Sequence, residues 1–151
     1  MTLGQLRKFA ESAGEFELLL QDSDANSYIP DLIHYQYATM LSDARRWQDS
    51  HQHFAAAFNS KKAPPALATL AHLNAGKCLD ALGKRDQAVL EYQTVLKKKD
   101  VFDSHDLAKK YLKKPFVPSP EEFSKTGGLD MNRIVEISRE HGIEYIKEVQ
   151  D

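Results

Sequence analysis

Apolar residues recur at helical spacing in two consecutive segments between residues 71 and 96, with a tight turn between them. The first segment carries a stripe of small or apolar side chains one helix face wide, at Ala71, Ala75, Cys78, Leu79 and Leu82. Gly83 follows directly, where a helix end favours a left-handed residue, and Asp86 is placed to cap the next helix. The second stripe comprises Ala88, Val89, Tyr92, Val95 and Leu96. The pattern predicts two antiparallel amphipathic helices joined by a short turn.

The segments before this central hairpin also show helical periodicity. Residues 2–21 indicate either one helix or a short hairpin bent at Gly14. Pro30 opens a second helical hairpin at a position that tolerates proline, and this hairpin continues to about residue 58. The linker 59–65 contains two prolines, which stop one helix and start the next.

After the central hairpin the pattern weakens. Ser104 is placed to cap a short helix that Pro115 ends. The prolines at 115, 118 and 120 predict an extended segment. A last helix is expected over about 130–141, after a break at two glycines.

The order of small and aromatic residues in the central hairpin resembles the tetratricopeptide repeat (TPR), a helix-turn-helix unit of about thirty-four residues. The matching positions are Gly76, Gly83, Ala88, Tyr92 and Leu96. The preceding hairpin aligns with the central one, so that Ala38, Leu41, Ser50 and Phe54 fall on the positions of Gly76, Leu79, Ala88 and Tyr92. The turn of this earlier hairpin has Arg45 where the family prefers glycine.

The resemblance implies an all-α fold in which antiparallel helical hairpins stack as a short right-handed solenoid. Its repeats would cover about 31–60 and 69–100, with a partial third over 104–114. An N-terminal helix would complete the helical domain of residues 1–114 by covering one end of the stack. Residues 115–151 would form a tail broken by proline and glycine.

Composition indicates an ordinary cytoplasmic protein. The chain has 151 residues, 42% hydrophobic and 28% charged, with a formal net charge of -2, so no general attraction to nucleic acid follows. The single cysteine, Cys78, fits a reducing compartment. No apolar run approaches the roughly eighteen residues of a membrane span, and the first twenty residues lack the pattern of a signal peptide.

Charge is distributed unevenly along the chain. Residues 61–114 contain twelve Lys and Arg against six Asp and Glu, whereas each flanking part has an acidic excess. The basic residues of 61–114 could bind an acidic partner or the acidic tail of the same chain. The alternative interpretation is that these lysines are simply solvated at helix ends.

The resemblance further implies a binding face, because TPR ligands usually lie along the concave surface lined by the first helix of each pair. On this chain the corresponding residues are Tyr35, Thr39, Ser42, Leu73, Asn74, Lys77, Asp80, Lys109, Lys110 and Lys113. Tyr35 and Leu73 suit a partly apolar peptide or helix. One variant of the family binds the C-terminal carboxylate of a peptide with a clamp of lysine and asparagine side chains. This chain has Tyr35 and Thr39 where that clamp needs amides or lysine, so the resemblance does not extend to this activity. The expected function is a non-catalytic scaffold or adaptor that binds a peptide or protein segment.

A second possibility is a structural module that forms a homo-oligomer through its terminal helices. Apolar residues in the tail would either pack within their own chain or cross to another copy, namely Ile134, Ile137, Ile143, Tyr145 and Ile146. We predict no enzyme, metal site or cofactor, because no Cys/His cluster has ligand spacing and no phosphate-binding loop is present. His51 and His53, two residues apart on a helix, point in different directions.

Overall fold

The computed structural model describes residues 2–119, and these residues are helical with no strand among them. The all-α prediction is confirmed for this part of the chain. The helices are α1 (Leu3–Asp22), α2 (Ile29–Asp43), α3 (Trp47–Asn59), α4 (Pro65–Ala81), α5 (Arg85–Leu96) and α6 (Ser104–Lys113).

α1 is one continuous helix of 20 residues. Of the two sequence interpretations of residues 2–21, the single helix is therefore correct, and Gly14 lies within it. Ser12 and Phe16 are its buried residues. Residues 23–118 form a separate compact unit to which α1 does not belong.

The helices of this compact unit pack in chain order. α2 contacts α3, α3 contacts α4, α4 contacts α5, and α5 contacts α6. α4 also contacts both α2 and α6. α2, α4 and α6 therefore form one row of neighbouring helices, with α3 and α5 packed against it.

The two hairpins close through the same backbone turn. In the first turn the N–H of Arg45 donates to Ser42 O and that of Arg46 to Leu41 O. In the second, the N–H of Gly83 donates to Asp80 O and that of Lys84 to Leu79 O. Arg45 and Gly83 both have left-handed φ angles, 61° and 76°. Arg45 adopts the conformation that favours glycine, so the absence of glycine does not change the turn.

Two predicted helix caps are wrong. α5 begins immediately after the turn, with Lys84 as its N-cap, so Asp86 lies in the first turn instead. There its carboxylate still faces the positive end of the helix dipole. Asp103 is the N-cap of α6 and has a left-handed φ of 61°. Ser104 is the first helical residue, and its hydroxyl donates to Asp100 Oδ1.

Small residues allow the helices of each hairpin to approach closely. A Cβ atom on Gly76 would lie 2.6 Å from Cε1 of Tyr92, far inside van der Waals contact. Tyr92 is completely buried, together with Ala88, Val95 and Ala108 in the core between α4, α5 and α6. A second core lies between α2, α3 and α4 and includes Ala38, Phe54, Ala57, Ala71, Ala75 and Cys78.

Candidate functional site

The row formed by α2, α4 and α6 carries the ten described residues that were predicted to bind a partner. We call its outer side the α2/α4/α6 face. Asn74 connects α4 to α2, because its amide donates to the Tyr35 hydroxyl at 3.1 Å. Lys77 connects α4 to α6, because its ammonium lies 6.0 Å from the ring centroid of Tyr111.

The predicted residues on α2 are half-buried and hydrogen-bonded. The Thr39 hydroxyl donates to the backbone carbonyl of Tyr35. The Tyr35 ring meets Phe54 edge-on at 5.3 Å, and burial raises the pKa of its hydroxyl. Ser42 Oγ lies 2.9 Å from Ser50 Oγ. Since the Ser50 hydroxyl donates to the carbonyl of Ala38, Ser42 is the donor in this pair.

The predicted residues on α4 divide into accessible and buried groups. Asn74 and Lys77 are partly exposed. Leu73 is only 3% exposed and belongs to the core between α4, α5 and α6, so its side chain stabilises packing and offers no surface to a ligand. The Asp80 side chain is 1% exposed. On α6, by contrast, Lys109, Lys110 and Lys113 are all exposed.

Asp80 is the centre of a hydrogen-bond network that joins three helices and the segment after α6. Arg85 Nη1 lies 3.1 Å from both carboxylate oxygens. The Tyr92 hydroxyl donates to Oδ2 at 2.7 Å, and Arg85 Nη2 donates to the carbonyl of Leu112. Burial, together with the bond to the Asp80 carboxylate, raises the pKa of Tyr92 strongly. The third donor to the Asp80 carboxylate is the backbone N–H of Phe116, 3.0 Å from Oδ2.

Phe116 places an aromatic ring on the α2/α4/α6 face. Its ring meets Tyr111 edge-on at 5.6 Å and Trp47 at 6.3 Å, with interplanar angles of 87° and 74°. The Lys77 ammonium lies 4.8 Å from its centroid, within the range of a cation–π interaction. We call the residues around this ring, Trp47, Lys77, Asp80 and Tyr111, the Phe116 site.

Trp47, Tyr111 and Phe116 are not among the residues that the sequence predicted to form a binding site. The prolines around Phe116 were interpreted only as an extended segment. An aromatic residue between Pro115 and Pro118 was the available signal, since such a segment is stiff and carries a large apolar side chain.

Other residues with reactive side chains are engaged in packing. Cys78 is buried, its thiol donates to Ser50 Oγ at 3.4 Å, and burial raises its pKa. His34 and His53 bring their Nδ1 atoms to 2.9 Å across α2 and α3, a pairing that the sequence did not suggest. Within residues 2–119, no group of three or more His, Cys, Asp and Glu side chains could hold a metal ion.

The length and apolar character of the helices can be compared with those of a membrane span. In the part of the chain that is described, none of the helices combines the length and apolar character needed to cross a bilayer. The predicted tail residues Ile134, Ile137, Ile143, Tyr145 and Ile146 lie outside the described residues.

No family model, no curated protein and no solved structure matches this chain.

Proposed function

We propose that the protein is a non-catalytic interaction scaffold of TPR-like architecture that binds a peptide or protein segment on its α2/α4/α6 face. The observation that carries this proposal is the placement of Phe116, a residue from an irregular segment held on that face by a backbone hydrogen bond and an aromatic cluster. A surface that holds a non-helical segment of its own chain has the donors, acceptors and shape to hold another.

Three observations support the TPR-like architecture. The turns after α2 and α4 use equivalent hydrogen bonds and a left-handed residue at the same relative position. The close approach of Gly76 to Tyr92 is the packing that the repeat pattern implies. A third helix of the same kind, α6, packs beside α4.

Charge supports a partner with acidic residues. Lys109, Lys110 and Lys113 are exposed on α6, and Lys77 lies beside Phe116. Asp80 is the acidic side chain of the Phe116 site, and Arg85 lies against both of its oxygens. Lysines at the rim of a binding face increase the rate of association with an acidic segment and make binding sensitive to salt.

Selection of peptides from a random dodecamer library displayed on phage tests the scaffold proposal. Peptides selected on the full chain should bind it saturably and lose about tenfold or more in affinity to a K110E/K113E variant, because charge on α6 is reversed. A K97E/K98E variant makes the same change after α5, off the face, and should bind unchanged. Equal loss in both variants, or no saturable binder at all, would contradict the proposal.

Self-assembly through the N-terminal helix is a second candidate function, and one observation favours it. Leu3, Leu6 and Leu18 are exposed large apolar residues on α1. They fall within about one-third of the helix circumference, as a contact stripe requires.

A further inference from the structure

The segment after α6 returns to α4 instead of leaving the compact unit. Lys114 has an extended backbone, and residues 115–119 are neither helix nor strand. Within two residues of this point, the Phe116 N–H reaches Asp80 on α4. A backbone N–H donor is common to every residue except proline, so this contact fixes the position of a segment without selecting its sequence.

The side chain of Phe116 supplies the selective contact. Tyr111 and Trp47 meet its ring edge-to-face, and the Lys77 ammonium lies over it. Both arrangements require the quadrupole of an aromatic ring and are weakened by an aliphatic side chain of similar volume. The next residue, Val117, is 71% exposed, so its side chain is hardly contacted. Recognition therefore concentrates on one aromatic position.

The acceptor for the backbone N–H is fixed by the fold. Arg85 contacts both oxygens of Asp80, and the Tyr92 hydroxyl binds Oδ2. These contacts come from α5 and do not depend on Phe116. The carboxylate is therefore oriented whether or not a segment is bound, which lowers the ordering entropy that binding must overcome.

The residues beside Phe116 reduce that entropy further. Pro115 precedes it directly and Pro118 follows two positions later, and each ring fixes one φ angle. Prolines also bias the preceding residues toward extended conformations. A partner segment with proline next to its aromatic residue would be stiffened in the same way.

We propose that the Phe116 site recognises an extended segment of a partner protein that contains a proline followed by an aromatic residue, and that residues 115–118 occupy this site in cis until the partner displaces them. This inference rests on the proposed scaffold function and names the class of its ligand. A partner segment must compete with the tethered segment of the same chain. Its apparent affinity is therefore the intrinsic affinity multiplied by the fraction of molecules whose site is open.

The test uses the full chain and a fluorescein-labelled peptide spanning residues 113–119. By fluorescence anisotropy, a Phe116→Ala variant should bind the peptide about tenfold more tightly than wild type, because the competing side chain is removed. Val117→Ala is the matched control and should bind as wild type does. Adding Lys77→Ala to Phe116→Ala should weaken binding, and a peptide with alanine in place of phenylalanine should not bind any of these proteins.

Phe116→Leu and the wild-type chain keep the test informative if Phe116→Ala is poorly folded. Phe116→Leu retains an apolar side chain in the site and should also bind the peptide more tightly than wild type does. In wild type, saturating labelled peptide should lower the emission of Trp47, the single tryptophan of the chain, because the bound peptide brings its fluorescein close to Trp47, which the Phe116 ring contacts. Equal affinities of wild type, Phe116→Leu and folded Phe116→Ala would overturn the proposal.

Two further outcomes would also overturn the proposed ligand class, and each would support a different conclusion. If light scattering shows that wild type is a dimer and Phe116→Ala a monomer, the occupant of the site is a second copy. If selected library peptides depend on Lys110 and Lys113 but contain no proline-aromatic pair and do not compete with the 113–119 peptide, the scaffold proposal stands and the ligand class is wrong. Loss of all face-dependent binding instead removes the scaffold proposal itself.

Discussion

At the scale of single residues, Gly76 and Tyr92 show how one missing Cβ atom permits a hairpin. Helix propensity alone favours alanine over glycine within α4 by about 1 kcal/mol. A methyl group at this position would collide with a completely buried ring, 2.6 Å from its Cε1 atom. Because the ring is held by the hydrogen bond to Asp80, it cannot move away freely. Steric exclusion therefore outweighs propensity.

We expect Gly76→Ala to lower the free energy of unfolding by about 1–3 kcal/mol, the usual range for overpacking. Urea denaturation monitored by circular dichroism measures this change. In a Gly76→Ala/Tyr92→Leu variant the two losses should be less than additive, since the smaller side chain makes room for the methyl group. Additive losses, or a stabilising Gly76→Ala, would show that the close approach is not what requires glycine.

Asp80 and Arg85 form the second feature at this scale. The carboxylate is 1% exposed and the guanidinium 31% exposed, so the pair is buried on one side only. Removing Arg85 leaves the charge with two neutral donors, the Tyr92 hydroxyl and the Phe116 N–H. Breaking a buried ion pair is usually more harmful than replacing both partners.

We therefore expect Arg85→Gln to destabilise the protein by about 2–4 kcal/mol. An Asp80→Asn/Arg85→Gln variant should be less destabilised than the sum of its single variants, because no unpaired charge remains. Arg7→Gln is a suitable control, since the Arg7–Glu11 ion pair is exposed and such pairs contribute about 0–1 kcal/mol. An Arg85→Gln variant as stable as Arg7→Gln would contradict the role given to Asp80.

The pair of His34 and His53 makes stability depend on pH. With the two Nδ1 atoms 2.9 Å apart, one must donate and the other accept, so at least one ring is neutral. Burial lowers the pKa of His34 below its ordinary value of 6.5, although Asp31 opposes this shift. The unfolded chain therefore binds protons more readily than the folded one as the pH falls through 6.5.

We expect the free energy of unfolding to be highest above pH 6.5 and to decrease as the pH falls from there through the lowered pKa of His34. Chemical denaturation at a series of pH values measures this dependence. A His34→Gln variant should show a shallower decrease, whereas His105→Gln, a half-buried histidine on α6 and not part of this pair, should retain it. Some dependence should remain in His34→Gln, because burial also lowers the pKa of His51. An unchanged slope in His34→Gln would contradict this explanation.

At the scale of helices, prolines and periodicity were sufficient to predict where most elements lie. Two prolines lie where α3 ends and α4 begins, as expected. The caps of α5 and α6 were misplaced because each helix begins directly after residues with left-handed backbone, at Gly83 and at Asp103. The residue type alone does not show how many residues after a turn the backbone becomes helical, so the first residue of a helix is difficult to predict.

The two equivalent turns yield a paired prediction. Gly83→Ala should destabilise the protein by about 1 kcal/mol, because a Cβ atom is strained at a φ of 76°. Arg45→Gly places glycine at the equivalent left-handed position, so the relief of strain should offset the entropy gained by the unfolded chain, and the loss should be smaller. Thermal unfolding compares the two. A greater loss for Arg45→Gly would mean that its side chain contributes more than its backbone strain removes.

The Phe116 site marks the limit of prediction from sequence. Tyr35, Asn74 and Lys77 lie on α2 and α4, which are neighbours in the row of helices. The meeting of Trp47 with Tyr111 and Phe116 depends instead on a contact between the start of α3 and a distant part of the chain, and on the direction taken by the segment after Pro115. Local patterns do not encode that direction. The burial of Leu73 likewise follows from how α6 packs on α4, which periodicity within α4 alone does not specify.

At the scale of the whole molecule, the scaffold proposal and self-assembly make different predictions about mass. A scaffold whose Phe116 site is filled in cis should remain a monomer of 17.1 kDa across a wide range of concentrations in multi-angle light scattering. A mass that rises with concentration, and returns to that of one chain in a Leu3→Lys/Leu6→Lys variant, would favour assembly through α1. A Glu15→Lys variant makes a similar charge change without removing an apolar side chain.

The most direct measurement is a ¹H–¹⁵N NMR titration of the full chain with the unlabelled peptide spanning residues 113–119. We predict saturable shifts of the Phe116 and Val117 amides, with the same apparent affinity, because the tethered segment leaves the site that the free segment enters and the Phe116 N–H loses its bond to Asp80. The amides of α5 residues remote from Asp80, such as Leu90, should not move, since this exposed side chain lies away from the site. Shifts confined to other surfaces, or none at saturating peptide, would contradict the account.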